Sequence, residues 1–445
     1  CFLSSLSLLI SFIFQIKYYS TNLNEPQFMG INNTFTSSIQ FVNEENYEPI
    51  PIYRILEAYQ KITKLPEDEK LNEVYLKKMY YDMVTISVMD KIMYGLHRQG
   101  RISFYMTNTG EEAVQIGSAA ALTLKDTIYA QYREAGMKLY YTLSIYCYMH
   151  LKYCIPIYVT GVLLHRGQPL AKFMNQCYGN CEDDGKGRQM PIHYGSKELN
   201  FVTISSPLTT QLPQAVGAAY AFKLDKKDAC VVCYFGEGAT SEGDAHAAFN
   251  FAATLSCPVV FLCRNNGYAI STPVLEQLKG DGIAAKGPAY GINTIRVDGN
   301  DVLAMYYATK SAREFCIKQK KPVLIEAMTY RIGHHSTSDD STAYRSVDEI
   351  SQWNTHSPLV RFRLYLESLG LWCQKREQEL IDSIKKEIFH AFEEAERKSK
   401  PHWRNLFTDV YKEIPDHIRK QMNLMEKHLE EFKEHYPLSS FIHTK

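Results

Sequence analysis

Residues 230–271, CVVCYFGEGATSEGDAHAAFNFAATLSCPVVFLCRNNGYAIS, place two short apolar runs on either side of one stretch with helical spacing. Ala229 to Phe235 is short, apolar and bounded by turn residues, which predicts a fully buried strand. From about Ser241, the residues Ala245, Ala248, Phe249, Phe251, Ala252 and Leu255 recur at helical intervals, with Glu242 and Asp244 in the first turn, as helix starts favour. Ser256-Cys257-Pro258 ends that helix. Val259 to Cys263 is the second strand, and Asn265-Asn266-Gly267 a turn just after it. Strand, crossover helix and strand close in the right-handed sense, so both strands end at one sheet edge, where open α/β sheets take their ligands.

Glu237 then stands at the tip of the first strand, between Gly236 and Gly238, and Asn266 at the tip of the second. Two glycines permit a sharp turn and a close approach of backbone to ligand. One carboxylate, one amide and a backbone carbonyl are a sufficient protein share for magnesium, which takes about six oxygens and keeps several from phosphate or water. The nearby helix N-terminus would favour the phosphates of a diphosphate. Taken by itself, a strand ending in Gly-x-Gly is equally an ordinary tight turn.

Strand and helix alternate from about Asp126 to Tyr330, with Val323 to Met328 a further buried strand, which predicts a doubly wound, mainly parallel sheet covered on both faces. Leu71 to Arg98 is helical, with an apolar stripe of Val74, Leu76, Met79, Met83, Ile86, Val88, Met89 and Met93. Residues 25–65 are expected to form an extended arm that wraps a partner, with Pro49-Ile50-Pro51-Ile52 opposing helix. Residues 66–375 form the α/β domain, and 376–445 are charged and helical. Residues 1–24 are read as a targeting or non-mature segment; the uncharged opening is too short to span a bilayer comfortably and lacks the arginines of a transit peptide. The 445 residues carry 45% hydrophobic and 22% charged side chains with no net charge. That is ordinary for a globular protein and offers no footprint for nucleic acid or membrane. Eleven cysteines without a framework fit a reducing compartment. Cys230 and Cys233 lie three apart on a strand and so point to opposite faces, which argues against a redox or metal pair.

The glycine-acid-glycine turn followed by Asn-Asn resembles the signature of thiamine diphosphate enzymes, with Glu237 where most of them carry Asp. The flanks narrow this further. QGRISFYMTNTGEEA (99–113), QYREAG (131–136), GKGRQMPIHYG (185–195), FVTISSPLTTQLPQAVGAAYA (201–221) and RIGHHSTSDDSTAYRSVDE (331–349) resemble the α subunits of branched-chain 2-oxoacid dehydrogenase E1 components. That resemblance implies a thiamine diphosphate-binding α/β fold and decarboxylation of branched-chain 2-oxoacids with acyl transfer to the lipoyl group of E2. It implies magnesium held by Glu237, Asn266 and the Tyr268 carbonyl, and potassium held by Ser205, Pro207, Thr210 and Gln211. Cofactor contacts follow at Tyr132, Arg133, Ser206, Gly238, Ala239 and Arg264, with His335 as both contact and acid/base group. Ser336 and Ser346 match phosphorylation positions, which implies a kinase and phosphatase beside the β subunit of an α2β2 assembly, in the mitochondrial matrix. An imidazole suits that role because it titrates near neutral pH.

Residues 137–161, MKLYYTLSIYCYMHLKYCIPIYVTG, interrupt the resemblance. They read as an insertion particular to this chain or as translated intron sequence, and the second is favoured because an apolar aromatic insert here would expose a sticky patch. A pyruvate dehydrogenase-type α subunit, a non-catalytic regulatory subunit and a metal-dependent hydrolase are the competing readings. The hydrolase lacks His-x-x-x-His or paired-carboxylate spacing.

Overall fold

The computed structural model describes residues 39, 48–57, 71–133 and 161–442. The reading of 1–24 and that of 137–161 apart from Gly161 therefore lie outside the described residues. Two units divide the chain, Cys1–Glu48 and Pro49–Lys445, and the architecture below belongs to the second.

Six parallel strands make the main sheet: β1 (Ile52–Tyr53), β2 (Thr127–Tyr129), β3 (Val231–Gly236), β4 (Val259–Asn265), β7 (Asn293–Asp298) and β8 (Val323–Met328). They lie in the order β1-β7-β8-β4-β3-β2. A small antiparallel pair, β5 (Tyr268–Ala269) and β6 (Thr272–Pro273), follows β4. Among the described residues, helices of eight residues or more are α1 (Glu73–Arg98), α2 (Glu112–Ala120), α3 (Leu170–Tyr178), α4 (Gln211–Leu224), α5 (Gly243–Thr254), α6 (Val302–Gln319), α7 (Val347–Thr355), α8 (Pro358–Ser368), α9 (Gln374–Arg397) and α10 (Asp416–Glu431). Among the described residues no helix is long and apolar enough to cross a membrane.

Burial on both faces explains why β3 and most of β4 and β8 are apolar runs rather than alternating ones; the buried Glu326 within β8 accepts from Arg296, Asn265 and the Ile283 and Ala284 amides. Cys230, Val232 and Tyr234 join one core with α1, α2 and α6, whereas Val231, Cys233 and Phe235 join a second with α4 and α5. The thiols of Cys230 and Cys233 are thus on opposite faces, and burial raises both far above the ordinary thiol range. The expected doubly wound parallel sheet is the observed one, and β8 has the boundaries read from its sequence. Two details differ. β4 continues through Arg264 and Asn265, because both side chains stay buried against neighbouring acids. Val74, placed on the apolar stripe of α1, is 61% exposed, whereas Leu76 in the same turn is buried.

Residues 48–57 contribute β1, an edge strand beside β7. Arg54 donates to Asp298 at 2.6 Å, and the Ile55 and Leu56 amides donate to Asp301, at 2.7 and 2.5 Å. The charged C-terminal region holds α9, which packs on α1 and α3 through Ile384, Ile388, Ala391, Phe392 and Ala395.

Candidate functional site at the carboxyl edge of the sheet

β3 and β4 run in register, with Gly236 opposite Arg264, so the residues after each strand meet at one edge. Glu237 opens a 3₁₀ turn, Glu237–Ser241, and α5 starts only at Gly243, two residues later than spacing suggested. The Glu237 side chain is 2% exposed. Oε2 accepts the Asn266 amide at 3.4 Å, and Oε1 has no protein partner. Burial raises this carboxyl to about pKa 7, with the nearby Glu111 charge adding to the effect. A buried carboxylate oxygen without a partner is costly, and a cation in contact would relieve it.

Asn266 donates from Nδ2 to Glu111 at 2.9 Å and accepts the Tyr268 N–H on Oδ1 at 3.2 Å. The Tyr268 carbonyl accepts from Arg331 at 3.4 Å. Glu237, Asn266 and Tyr268 therefore share one hydrogen-bonded turn and offer hard oxygen donors, the set a magnesium ion accepts. Among the described residues no group of three His, Cys, Asp or Glu side chains is placed to hold a metal. Gly238 has a steric reason as well: a Cβ there would come within 2.6 Å of the Ala269 Cβ.

Three buried arginines surround this turn. Arg264 is ion-paired with the fully buried Glu111. Arg133 donates to the carbonyls of Thr107 and His335. Arg331 donates to the Ile270 carbonyl at 2.6 Å and the Tyr344 hydroxyl at 2.9 Å. The last two also face the His335 ring, each 3.3 Å from Nδ1, and Tyr132 meets it edge-on at 6.1 Å. Burial and these two cations depress the imidazole to about pKa 3. The expectation of a histidine titrating near neutrality changes accordingly: the ring is neutral at pH 7, because burial disfavours its charged form and a third positive charge would sit against two guanidiniums. Its backbone N–H donates to Asp339 at 2.7 Å, which also accepts from Tyr344 at 2.7 Å.

The 205–211 loop reaches the same edge by another route. Gln211 donates to the Tyr234 carbonyl of β3 at 3.1 Å, Thr210 donates to the Pro207 carbonyl at 3.3 Å, and Ser206 lies 2.6 Å from His193 Nε2. Ser205 and Pro207 are exposed, and Ala239 is buried. Ser336 is half-buried directly after His335, and its hydroxyl accepts the Ser338 amide at 3.3 Å. Ser346 is exposed and caps α7 by accepting the Glu349 N–H at 3.1 Å. Sequence reasoning missed Glu111 and Arg331, although both lie inside motifs it singled out; their long-range partners carried no local signal.

The chain matches the family described as "Dehydrogenase E1 component" over residues 80–154 and 148–404. It is 52% identical over 428 residues to the human protein named "2-oxoisovalerate dehydrogenase subunit alpha, mitochondrial", covering 96% of this chain and 91% of that one. The chain belongs to the dehydrogenase E1 component family. Proteins of the same name from Caenorhabditis elegans and Dictyostelium discoideum are 53% and 47% identical, over 92% and 96% of this chain and 90% and 95% of theirs. Membership in the dehydrogenase E1 component family implies thiamine diphosphate use. The partnerless Glu237 oxygen, the oxygen-donor turn and the three arginines fit a diphosphate held through a divalent cation.

Proposed function

We propose that this chain is the α subunit of a mitochondrial branched-chain 2-oxoacid dehydrogenase E1 component, decarboxylating the 2-oxoacids of valine, leucine and isoleucine breakdown. The observation that carries the reading is near-full-length identity to relatives named for 2-oxoisovalerate, in a chain whose Glu237 oxygen lacks a partner. When bound, thiamine diphosphate supplies the carbanion chemistry that releases carbon dioxide from a 2-oxoacid and readies the acyl group for transfer. Glu237, Asn266 and the Tyr268 carbonyl hold magnesium. Arg264, Arg133, Tyr132, Ser206 and the amides of Gly238 and Ala239 hold the cofactor, the arginines because a rigid fork of donors suits phosphate oxygens. Ser205, Pro207, Thr210 and Gln211 hold potassium through neutral oxygens.

His335, neutral between Arg133 and Arg331 with Nδ1 turned to their N–H donors, accepts or relays a proton at Nε2 and gains basicity when an anionic substrate offsets the two cations. Ser336 lies beside this ring, so a phosphate there, carrying about −1.5 to −2 charge, repels the substrate carboxylate. A kinase acting at Ser336 and Ser346 and an opposing phosphatase complete the proposal, with a β subunit and a lipoyl-bearing E2 as assembly partners. The family match is split into two stretches, 80–154 and 148–404, that overlap within 137–161, and that break in continuity supports reading the segment as an interruption of the family pattern. The deciding experiment is co-expression with a matching β subunit and turnover on 3-methyl-2-oxobutanoate against pyruvate. Faster turnover on pyruvate would overturn the substrate assignment.

A further inference from the structure

We propose that Glu111 is a positioning residue for the cofactor site: it turns the Asn266 amide oxygen-first toward the cation and aligns Arg264 for the diphosphate. The inference rests on the cofactor reading above. Glu111 occupies the N-cap position of α2, where Ser, Thr, Asp or Asn would ordinarily bond the first amides of the helix. Its side chain makes no such cap. It is instead fully buried and directed at the end of β4, with Oε1 accepting Asn266 Nδ2 at 2.9 Å and Oε2 paired with Arg264 Nε.

Chemistry explains why a carboxylate is needed. An asparagine amide has one face that accepts and one that donates, and only the oxygen can ligate a hard cation. With its nitrogen held by Glu111, the Asn266 amide cannot flip to present N–H groups to a metal. The Arg264 pair turns the guanidinium about its long axis by the same means. A glutamine at 111 accepts at one oxygen only. Whichever partner that oxygen serves, the other faces an N–H₂ group, donor against donor.

The test uses the full chain assembled with its β subunit, with calorimetric titration of magnesium in the presence of thiamine diphosphate. Glu111→Gln should raise the apparent magnesium Kd at least tenfold while the melting temperature of the ligand-free assembly stays within a few degrees. Asn266→Ala should weaken magnesium binding similarly, and the double variant should lose clearly less than the sum of the two single losses, because the share that passes through the Asn266 amide is common to both. Unchanged magnesium affinity in Glu111→Gln, or fully additive losses in the double variant, would overturn the role. If Glu111→Gln fails to assemble, Glu111→Asp keeps both acceptors but shortens their reach. A magnesium affinity between wild type and Asn266→Ala then supports the role, and a wild-type affinity overturns it. Thiamine diphosphate binding by the wild type that is independent of magnesium would instead overturn the cofactor reading itself.

Discussion

Glu237 is a carboxyl group that folding has stripped of water and left short of one partner. Replacing it with glutamine keeps the volume and removes the buried charge. Glu237→Gln should therefore leave the ligand-free melting temperature equal or higher, yet lower magnesium-dependent thiamine diphosphate affinity by about a hundredfold, on the scale of a lost charged contact. Calorimetry beside a thermal melt separates the two effects. His335 carries a second residue-scale prediction. Its folded pKa of about 3 lies below the ordinary 6.5, so the free site holds a neutral ring through the whole range above pH 5. The pH profile of kcat/KM should show no ionisation of this ring between pH 5.5 and 8. Arg331→Gln removes one of the arginine charges that lower the ring, behind burial and Arg133, and should move its ionisation upward, read by NMR titration of the imidazole. At this scale the positions of Glu237 and Asn266 were legible because each directly follows a strand, whereas Arg264 was singled out only through the family resemblance. Glu111 was not legible, since its bond to Asn266 joins residues 155 apart, and nothing near position 111 announces which acid will be buried.

Elements were legible where one physical cause dominated. β8 could be bounded from sequence because a strand buried on both faces is mostly apolar, and Lys321-Pro322 before it and Thr329 after it break the run; the buried Glu326 inside it carried no such signal. β1 could not, because two residues in a proline-bearing segment have no period to detect, and they become a strand only through β7. The turn after β3 shows a third case, in which glycine chemistry was readable but the 3₁₀ geometry was not. Gly238→Ala should disrupt that turn, since its new methyl group would overlap the Ala269 methyl at 2.6 Å. A loss of thiamine diphosphate affinity larger than the loss of thermal stability is the expected signature. For α7, Ser346→Ala removes the N-cap bond to Glu349 and should cost about 1 kcal/mol, read as faster amide exchange confined to residues 347–355.

At the scale of the whole molecule, one buried histidine couples the fold to pH. His165 is fully buried 2.6 Å from Asp82, with Lys78 bonded to the same carboxylate oxygen. Lys78 already supplies the positive charge, and burial and that ammonium depress the ring to about pKa 4. The unfolded chain binds a proton near the ordinary 6.5, so this stability is complete above pH 6.5 and is lost as pH falls toward 4. Thermal melts from pH 7 to 4.5 should decline, and His165→Asn should decline less steeply from a lower start. Deleting residues 137–161 should leave the assembled protein's melting temperature and cofactor affinity unchanged or improved, measured side by side with the full chain. The edge strand has a consequence in time. The amides of Ile55 and Leu56 end on Asp301, a residue made about 245 positions later, and Arg54 waits for Asp298. During synthesis at roughly 5–20 residues per second, the start of this domain must therefore remain unpaired for more than about ten seconds, and the sheet is closed by the first strand to leave the ribosome.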